Sequence, residues 1–331
     1  MYKRQLHRYI KQGASSLVME VSSHGLSQHR VAGIPFLIGV FTNLTRDHLD
    51  YHGDMEAYYQ AKKQLFLSPS MGYAIIHIDD PYGKRLSNEL KKERPELEIL
   101  GYGVNKQAHI HLHTVNESQE GIELNLTSPW GDIQLFHPHL IGFFNAQNLA
   151  ASFAVLCVLG FEASLSAKIL SGIKPAKGRM QVLKEKGKPL VIIDYAHTPD
   201  ALQKALTVLK PAAQAGKLYC VFGCGGNRDQ GKRSLMGQVV EETADYAVVT
   251  SDNPRDEDPI EIIADIIKNI HPKIVETDRK KAIQWAIEQA NEGDVVLIAG
   301  KGHENYQEIK GTRYPFDEDE IALHYLSLIH I

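Results

Sequence analysis

Short and almost wholly apolar runs recur along the chain, separated by stretches of helical character. Runs of this length and composition are typical of strands that are buried on both faces of a parallel sheet. Because helices must cover both faces of such a sheet, the rhythm predicts an α/β fold. The runs are residues 17–21, 36–41, 74–78, 190–193, 218–222, 246–250 and 295–299.

The rhythm is interrupted once and then restarts, which suggests two domains. Residues 108–136 alternate between apolar and polar side chains, so we expect an antiparallel meander beside the first parallel sheet. Residues 171–179 are a candidate linker. We therefore predict a central domain over residues 1–177, with a partial parallel sheet, and a Rossmann-like doubly wound domain over residues 178–331.

Composition excludes several function classes. Of the 331 residues 43% are hydrophobic and 23% are charged, with a net charge of −4. The chain has no block of basic residues of the kind that binds nucleic acid. No apolar run approaches the ~18 residues needed to cross a bilayer. Three cysteines cannot form a disulfide framework, which indicates a reducing, cytoplasmic setting. We expect a monomer with neither a nucleic-acid partner nor a membrane segment.

Glu20, His48 and Lys62 form the first candidate site. Glu20 ends one predicted strand, and His48 lies in the polar run that follows the next. Because ligands of α/β sheets bind beyond the carboxyl ends of strands, these groups suit Mg²⁺, with histidine as an unusual ligand. Lys62 completes the apolar spacing of the following helix and is expected to point inward, whereas Lys63 falls outside that spacing. A lysine that merely reaches the helix edge is the alternative.

Glycine-rich and polar loops follow four predicted strands in the second half. Residues 226–232 spell GxxxxGK, but Arg233 replaces the Ser or Thr that a P-loop needs. We expect this loop to cradle an anion through its backbone N–H groups, and Arg228 to clamp a carboxylate. The remaining polar loops begin at Asp194, Ser251 and Gly300. Four such loops at one sheet edge indicate a binding cleft.

His109, His111 and His113 share one face of a predicted strand. They could hold zinc, and a metallohydrolase is therefore one alternative function. A solvated hairpin face explains the same spacing and is the interpretation that we favour.

Several long segments, in order, resemble the Mur ligase family, and the resemblance covers residues 13–321. They are MEVSSHGLSQHRV, FTNLTRDHLDYHGDMEAYYQAKKQLF, GFFNAQNLAA, GRMQV, DYAHTPDAL, VFGCGGNRDQGKRSLMG, SDNPRDEDP and AGKGHENYQ. The resemblance implies an ADP-forming amide ligase of peptidoglycan synthesis. ATP would phosphorylate the D-Glu carboxylate of UDP-MurNAc-L-Ala-D-Glu, and an amine would attack the acyl phosphate.

The resemblance also implies roles for individual residues. Glu20 and His48 match Mg²⁺-binding positions, and Lys62 matches a lysine that becomes carbamylated; these three form the implied catalytic and metal set. The implied contacts to the UDP-linked substrate are Ser22, Gln28 and Arg30, and those to the nucleotide are Asn148, Arg179 and Asp194. The implied contacts to meso-diaminopimelate are Arg228, Asp252, Asn253, Pro254, Arg255, Gly300 and Glu304.

Arg255 distinguishes members of the family by substrate. The sequence Asp252-Asn253-Pro254-Arg255 matches the signature of members that add meso-diaminopimelate, and lysine-adding members lack the arginine. A guanidinium suits the extra carboxylate of meso-diaminopimelate. A lysine-adding ligase, a folylpolyglutamate-type ligase and a non-catalytic amino-acid-binding module remain alternatives.

The chain departs from the family pattern at one place. It contains no GxxxxGK[ST] sequence, whereas family members carry a P-loop before the EVSSHG segment and a preceding domain for the uridine end of the substrate. Without that loop the ATP phosphates lose their cradle. We therefore expect an N-terminally truncated polypeptide that does not ligate by itself.

Overall fold

The computed structural model describes residues 2–45, 48–118, 120–213 and 215–328. The chain divides into two compact units, each described by itself. The first unit comprises Met1–Val115, Leu124–Leu135 and Ala146–Leu170, and the second comprises Asn116–Glu123, Phe136–Asn145 and Ser171–Ile331.

The first half contains six strands and seven helices among the described residues, and a 3-10 turn, Gln64–Leu67, extends the fourth helix. The strands are β1 (Ile38–Phe41), β2 (Tyr73–His77), β3 (Glu98–Gly103), β4 (Ile110–Ser118), β5 (Gly121–Ser128) and β6 (Gly131–His137). The helices are α1 (Tyr2–Lys11), α2 (Ser23–Ser27), α3 (Leu49–His52), α4 (Met55–Lys63), α5 (Pro81–Glu93), α6 (Phe143–Val158) and α7 (Ala163–Gly172).

The six strands form one sheet in the order β1-β2-β3-β4-β5-β6. Strands β1 to β4 pair in parallel, and β4, β5 and β6 follow one another in both chain and sheet. The predicted partial parallel sheet with a meander is therefore confirmed. The apolar face of α4, led by the fully buried Tyr59, packs with Ile76 of β2 and Leu86 and Leu90 of α5.

The predicted strand at residues 17–21 is wrong. The structure has no regular secondary structure between α1 and α2, and Leu17 and Val18 are 46% and 96% exposed. A strand needs a neighbour to satisfy its backbone hydrogen bonds, and β1, at the edge of the sheet, pairs only with β2 among the described strands. An apolar composition was therefore not sufficient to predict a strand at residues 17–21.

The second unit contains a parallel sheet with one antiparallel edge, in the order β11-β10-β9-β12-β8-β7. Its strands are β7 (Gln181–Leu183), β8 (Leu190–Asp194), β9 (Leu218–Phe222), β10 (Tyr246–Thr250), β11 (Ile274–Glu276) and β12 (Val295–Ala299). A hairpin of β13 (Tyr306–Ile309) and β14 (Thr312–Pro315) follows. The helices are α8 (Pro199–Ala212), α9 (Gly231–Thr243), α10 (Pro259–Ile267), α11 (Arg279–Gln289) and α12 (Glu318–Leu328).

Helices cover both faces of this second sheet, as the doubly wound prediction requires. One apolar cluster contains Leu206 of α8 and Val240 of α9, and the other contains Ile283 of α11 and Leu326 of α12. Side chains of Thr198, Asp258 and Asp278 cap the N-termini of α8, α10 and α11. The caps satisfy N–H groups that have no partner inside the helix, which stabilises the start of each helix.

Candidate functional site

Ser22 begins α2 in the first unit. Its Oγ accepts a hydrogen bond from the backbone N–H of Gly25 at 3.1 Å, the usual geometry of an N-cap. The hydroxyl proton is not used in that contact, so Ser22 can still donate to a ligand.

His48 lies among aromatic rings at the start of α3. Its ring centroid is 4.9 Å from that of His24 and 5.9 Å from that of Tyr58. His52 stacks on Tyr58 at 5.1 Å, and its Nε2 lies 2.9 Å from the Ser23 hydroxyl. We call His24, His48, His52, Tyr51 and Tyr58 the histidine cluster. Arg46 and Asp47, in the same polar run, lie outside the described residues.

Two of the three residues expected to contact the UDP-linked substrate lie beyond α2. The Gln28 amide donates to the Tyr51 hydroxyl at 3.2 Å, so it contacts the histidine cluster directly. Arg30 is exposed. The structure therefore places Ser22 at the start of α2 and Gln28 at its C-terminal end.

Lys62 and Lys63 occupy different surroundings in α4. The Lys62 Nζ lies 5.7 Å from the centroid of the Tyr58 ring, and the side chain is half-buried. Lys63 is the buried lysine, and its Nζ lies 2.8 Å from Glu89 Oε2 and 2.7 Å from Glu93 Oε1. The expectation that Lys63 lies outside the buried face is wrong, because α5 supplies two carboxylates that pair with it.

Burial disfavours a charged amine, but the hydrogen bonds that Lys63 donates to Glu89 and Glu93 outweigh it and raise the pKa of Lys63. Glu89 is also partly buried, yet its bonds with Lys63, Arg85 and Tyr59 lower its pKa to about 2. This network is structural and is separate from the face of α4 that carries Lys62.

The three expected magnesium ligands are only partly brought together. His48 and Lys62 lie beside the same Tyr58 ring. Glu20 is exposed in the irregular segment before α2. Within the ranges that the structure describes, no group of three or more His, Cys, Asp and Glu side chains is arranged to hold a metal ion.

His77 is a buried polar residue for which the sequence predicted no role. Its Nδ1 donates to the Thr42 carbonyl oxygen at 2.9 Å, and its Nε2 lies 2.9 Å from the side-chain amide nitrogen of Gln147. Asp79 lies 3.4 Å from the same Nε2. Asn148, expected at the nucleotide, follows Gln147 in α6 and is exposed. The single histidine in an otherwise apolar strand was the available signal.

The three histidines of the predicted strand all contact protein atoms, and His109 lies just before β4. His109 Nδ1 accepts from the Gly101 N–H at 3.0 Å, His111 Nε2 lies 3.1 Å from the Val104 carbonyl oxygen, and His113 Nε2 lies 2.6 Å from the Thr127 hydroxyl. Their geometry supports the interpretation as a hairpin face and gives the metallohydrolase alternative no support.

Asp194, at the end of β8 in the second unit, joins two loops. One carboxylate oxygen accepts from the Met180 N–H at 2.7 Å and the other from the Ala196 N–H at 2.9 Å. The Arg179 guanidinium lies 4.8 Å from the centroid of the Tyr195 ring. Arg179 and Asp194, both expected at the nucleotide, therefore lie in adjoining loops of the second unit.

Three backbone N–H groups of the glycine loop after β9 are not available to the anion that we expected. The Gly226 N–H donates to the Asn253 carbonyl oxygen at 2.9 Å, the Asn227 N–H donates to Glu257, and the Gly231 N–H donates to the Asp229 carboxylate at 2.9 Å. That expectation is wrong for these three groups, because protein oxygens already occupy them.

Arg233, which replaces the P-loop hydroxyl residue, has a structural role. It is buried and pairs with Glu257 at 2.7 Å and Asp265 at 2.9 Å. Gly226 is required by close packing, because a Cβ there would lie 1.9 Å from the Pro254 carbonyl oxygen. Arg228, in the same loop, is exposed.

Arg255 is held where the loop after β10 meets the hairpin. Its backbone has a positive φ of 52°, and its N–H donates to the Glu308 carbonyl oxygen at 3.0 Å while its own carbonyl accepts from the Lys310 N–H at 2.7 Å. Its Nη1 donates to the Gly226 carbonyl oxygen at 2.8 Å, and its Nε lies 3.7 Å from a Glu308 carboxylate oxygen. These contacts fix the direction of the guanidinium.

Asn253 joins the loop after β10 to the loop after β12. Its Nδ2 donates to Glu304 Oε2 at 2.9 Å, and its Oδ1 accepts from Lys301 Nζ at 2.8 Å. Asp252 lies 3.2 Å from the same Nζ. Gly300 has a φ of +122°, and a Cβ there would lie 3.2 Å from the Asp252 carboxylate. Pro254 is buried between Asn253 and Arg255.

The sequence analysis missed two buried cations in this part of the second unit. Lys301 is fully buried within the Asp252, Asn253 and Glu304 network. Arg279 pairs with Glu318 at 2.7 Å, and its Nη2 donates to the Ala299 carbonyl oxygen at the end of β12. Burial raises the pKa of Glu318 despite this pairing. Lys301 belongs to the segment AGKGHENYQ that carries the family resemblance, but no role was predicted for it.

Two family models match the chain. One, described as the Mur ligase middle domain, matches residues 2–156, and the other, described as the Mur ligase, glutamate ligase domain, matches residues 178–302. No helix in the part of the chain that the structure describes is long and apolar enough to cross a membrane.

Several of the similar proteins share one name. A UDP-N-acetylmuramoyl-L-alanyl-D-glutamate--2,6-diaminopimelate ligase from Neisseria meningitidis serogroup A is 51% identical over 319 residues, covering 96% of this chain and 65% of the relative. One from Chromobacterium violaceum is 48% identical, covering 97% and 65%. A solved structure with the same name is 40% identical with a TM-score of 0.74, covering 98% of this chain and 67% of that chain. The chain thus spans about 65% of the length of these curated relatives.

Proposed function

Because the chain belongs to the Mur ligase family, we propose that it carries the central and amino-acid-binding parts of an ADP-forming amide ligase. The ligase adds meso-diaminopimelate to the D-Glu carboxylate of UDP-MurNAc-L-Ala-D-Glu through an acyl phosphate. The domains implied by this function are residues 1–177 and 178–331. We also propose that the protein is a monomer and that it acts in the cytoplasm; its three free, buried cysteines support the reducing setting.

The observation that carries the proposal is the arrangement of Arg255, Asn253 and Glu304. A cationic guanidinium and an anionic carboxylate project from loops that the Asn253–Glu304 hydrogen bond joins. Meso-diaminopimelate offers complementary groups, with a side-chain carboxylate for Arg255 and an ammonium for Glu304. Lysine has no second carboxylate, so the same residues favour meso-diaminopimelate over lysine.

In this proposal Arg255 and Glu304 orient the incoming amino acid. The Gly226 contact uses Nη1 of Arg255, and Nη2 is assigned to the ligand carboxylate. Glu304 Oε2 accepts a hydrogen bond from the Asn253 amide, and Oε1 is assigned to the ligand ammonium. Two fixed contacts at one end of the amino acid restrict its rotation and present the reacting amine in one direction.

We assign the nucleotide and the UDP-linked substrate to the remaining residues. Asn148, Arg179 and Asp194 are proposed to contact ATP, and Ser22, Gln28 and Arg30 to contact the substrate. Arg179 supports this assignment because its guanidinium is anchored on Tyr195 and can meet a phosphate. Gln28 supports it because its contact with Tyr51 fixes the amide.

The donor set near Tyr58 fits Mg²⁺ only if Lys62 is carbamylated. An ammonium has no lone pair to donate, whereas a carbamate offers two oxygens, the ligands that Mg²⁺ prefers. Glu20, His48 and carbamylated Lys62 would then hold the ion. When bound, Mg²⁺ neutralises charge on the transferred phosphoryl group.

Calorimetric titration of the polypeptide with meso-diaminopimelate and with L-lysine tests the amino-acid assignment. We expect meso-diaminopimelate to bind at least tenfold more tightly, because one charge-assisted contact contributes about 1.5 kcal/mol or more. Equal affinities would favour a lysine-adding ligase, and an absence of binding would contradict the assignment.

We also propose that a polypeptide of these 331 residues does not ligate unaided, since no GxxxxGK[ST] sequence is present to cradle the ATP phosphates. ADP release and mass spectrometry of the tripeptide product test this. Turnover in the usual range of ligases would contradict it.

A further inference from the structure

Lys301 is a fully buried lysine at the centre of the Asn253 and Glu304 arrangement. Its Nζ lies 2.8 Å from Asn253 Oδ1, 3.2 Å from Asp252 Oδ1 and 3.8 Å from Glu304 Oε2. The Tyr306 ring lies on another side, with its centroid 5.8 Å from Nζ. A buried ammonium must be compensated by nearby acceptors, and these groups supply that compensation.

The Asn253 amide can adopt only one orientation beside Lys301. Its Oδ1 accepts from Lys301 Nζ and, at 2.9 Å, from the Glu308 N–H. A flipped amide would place its NH₂ group against two donors, and both contacts would be lost. Nδ2 therefore faces Glu304, where it donates at 2.9 Å.

Lys301 also balances charge between two carboxylates. Asp252 is buried, and Glu304 is half-buried beside it. Without the ammonium, the two anions would lose the cation that lies 3.2 Å from Asp252 and 3.8 Å from Glu304. Arg279, whose charge also acts on Asp252, is paired with Glu318. Repulsion between the two anions would move Glu304, the more exposed of the two, toward water.

We propose that Lys301 is a positioning residue for amino-acid binding. It fixes the Asn253 amide, and the fixed amide holds Glu304 Oε2, so that Oε1 accepts the ligand ammonium in a defined direction. Lys301 itself does not touch the ligand. The role in ligand binding rests on the proposed function, whereas the orientation of Asn253 by Lys301 can be tested without any ligand.

The first test compares hydrogen exchange of the Asn253 side-chain amide in the whole polypeptide and in Lys301→Met, using NMR. We expect exchange at least tenfold faster in Lys301→Met, while backbone amides of β12 remain protected. Lys268→Met, which replaces an exposed lysine after α10, is the matched control and is expected to leave the rate unchanged. Equal Asn253 rates in all three proteins would overturn the proposal.

A second measurement needs no substitution and so remains decisive if Lys301→Met fails to fold. In ¹⁵N-labelled polypeptide, the Lys301 ammonium is expected to give a correlation between its nitrogen and its protons, because its hydrogen bonds slow exchange with water. An ammonium that exchanges as fast as that of exposed Lys268 would overturn the proposal.

Measuring the binding of meso-diaminopimelate to the same variants distinguishes this proposal from the proposed function. We expect Lys301→Met to bind meso-diaminopimelate at least tenfold more weakly and Lys268→Met to bind it normally. Unchanged affinity in Lys301→Met would overturn the role in ligand binding. If the unsubstituted polypeptide binds no meso-diaminopimelate but Asn253 responds as expected, the proposed function fails and the orientation by Lys301 stands.

Discussion

The side-chain amide of Asn253 donates to the Glu304 carboxylate over 2.9 Å, although 51 residues separate them in the chain. The contact is possible because β10 and β12 flank β9 in one parallel sheet, so the loops at their carboxyl ends meet. It joins the DNPR segment to the GKGHE segment. A site built from both loops follows directly from the strand order.

Arg255→Ala is expected to weaken meso-diaminopimelate binding by about 10- to 150-fold, since a hydrogen bond to a charged group contributes about 1.5–3 kcal/mol. In a full-length counterpart that carries the P-loop, the same substitution is expected to change ATP binding less than twofold. Calorimetry with each ligand measures both effects, with Lys268→Ala as a control on an exposed cation. Parallel losses for both ligands would mean that Arg255 supports the fold rather than the amino acid.

Substituting the two adjacent lysines of α4 is expected to affect stability unequally. Removing one partner of a buried ion pair costs about 3–5 kcal/mol, and partial exposure of Glu89 and Glu93 reduces our expectation for Lys63→Met to about 2 kcal/mol. Lys62→Met is expected to cost less than about 1 kcal/mol. Urea unfolding of both variants makes the comparison, and equal losses would refute the assignment of Lys63 as the structural lysine.

Carbamylation is expected at Lys62 and not at Lys63. The uncharged amine attacks carbon dioxide, forming an N–C bond and releasing one proton, and the paired ammonium of Lys63 has no free lone pair. In ¹³C-bicarbonate, the polypeptide is expected to show a carbamate carbon signal that is lost in Lys62→Met and retained in Lys63→Met. A signal that persists in Lys62→Met would place the modification elsewhere.

Acid is expected to destabilise the first unit through Glu89. Its pKa is lowered from 4.5 to about 2 in the folded state, so the unfolded chain binds the proton more readily. The stabilisation is therefore present above about pH 4.5 and is lost as the pH falls toward about 2. Glu89→Gln is expected to lose less free energy of unfolding than the unsubstituted chain between pH 5 and pH 3. Glu292→Gln, in an exposed loop, should follow the unsubstituted chain.

The second sheet was predictable because its central strands are fully buried. Residues 218–222 and 295–299 are apolar throughout, and runs of this length and composition are typical of strands that helices cover on both faces. The same reasoning failed at residues 17–21, where Val18 is almost fully exposed. An apolar run shows that a segment could be buried as a strand. It does not show whether a neighbouring strand is available to pair with it.

Candidate site residues could be named from the sequence where one motif carries them, and less so where their partners are distant in sequence; the roles assigned to them stay predictions. The DNPR segment and Glu304 were identified from the sequence, whereas the central position of Lys301 depends on Asp252, 49 residues away. Lys63 was misassigned for the same reason, since Glu89 lies 26 residues later. The spacing of apolar residues predicts which face of a helix is buried. It cannot predict a carboxylate that another helix places against that helix.

The most direct test is a crystal structure of the polypeptide soaked with meso-diaminopimelate. The account predicts one ligand carboxylate within hydrogen-bond distance of the Arg255 guanidinium and the ammonium of the same end beside Glu304, with Asn253 still bound to Lys301. A ligand seated away from Arg255 and Glu304, or no ligand at a concentration that saturates binding in solution, would contradict it.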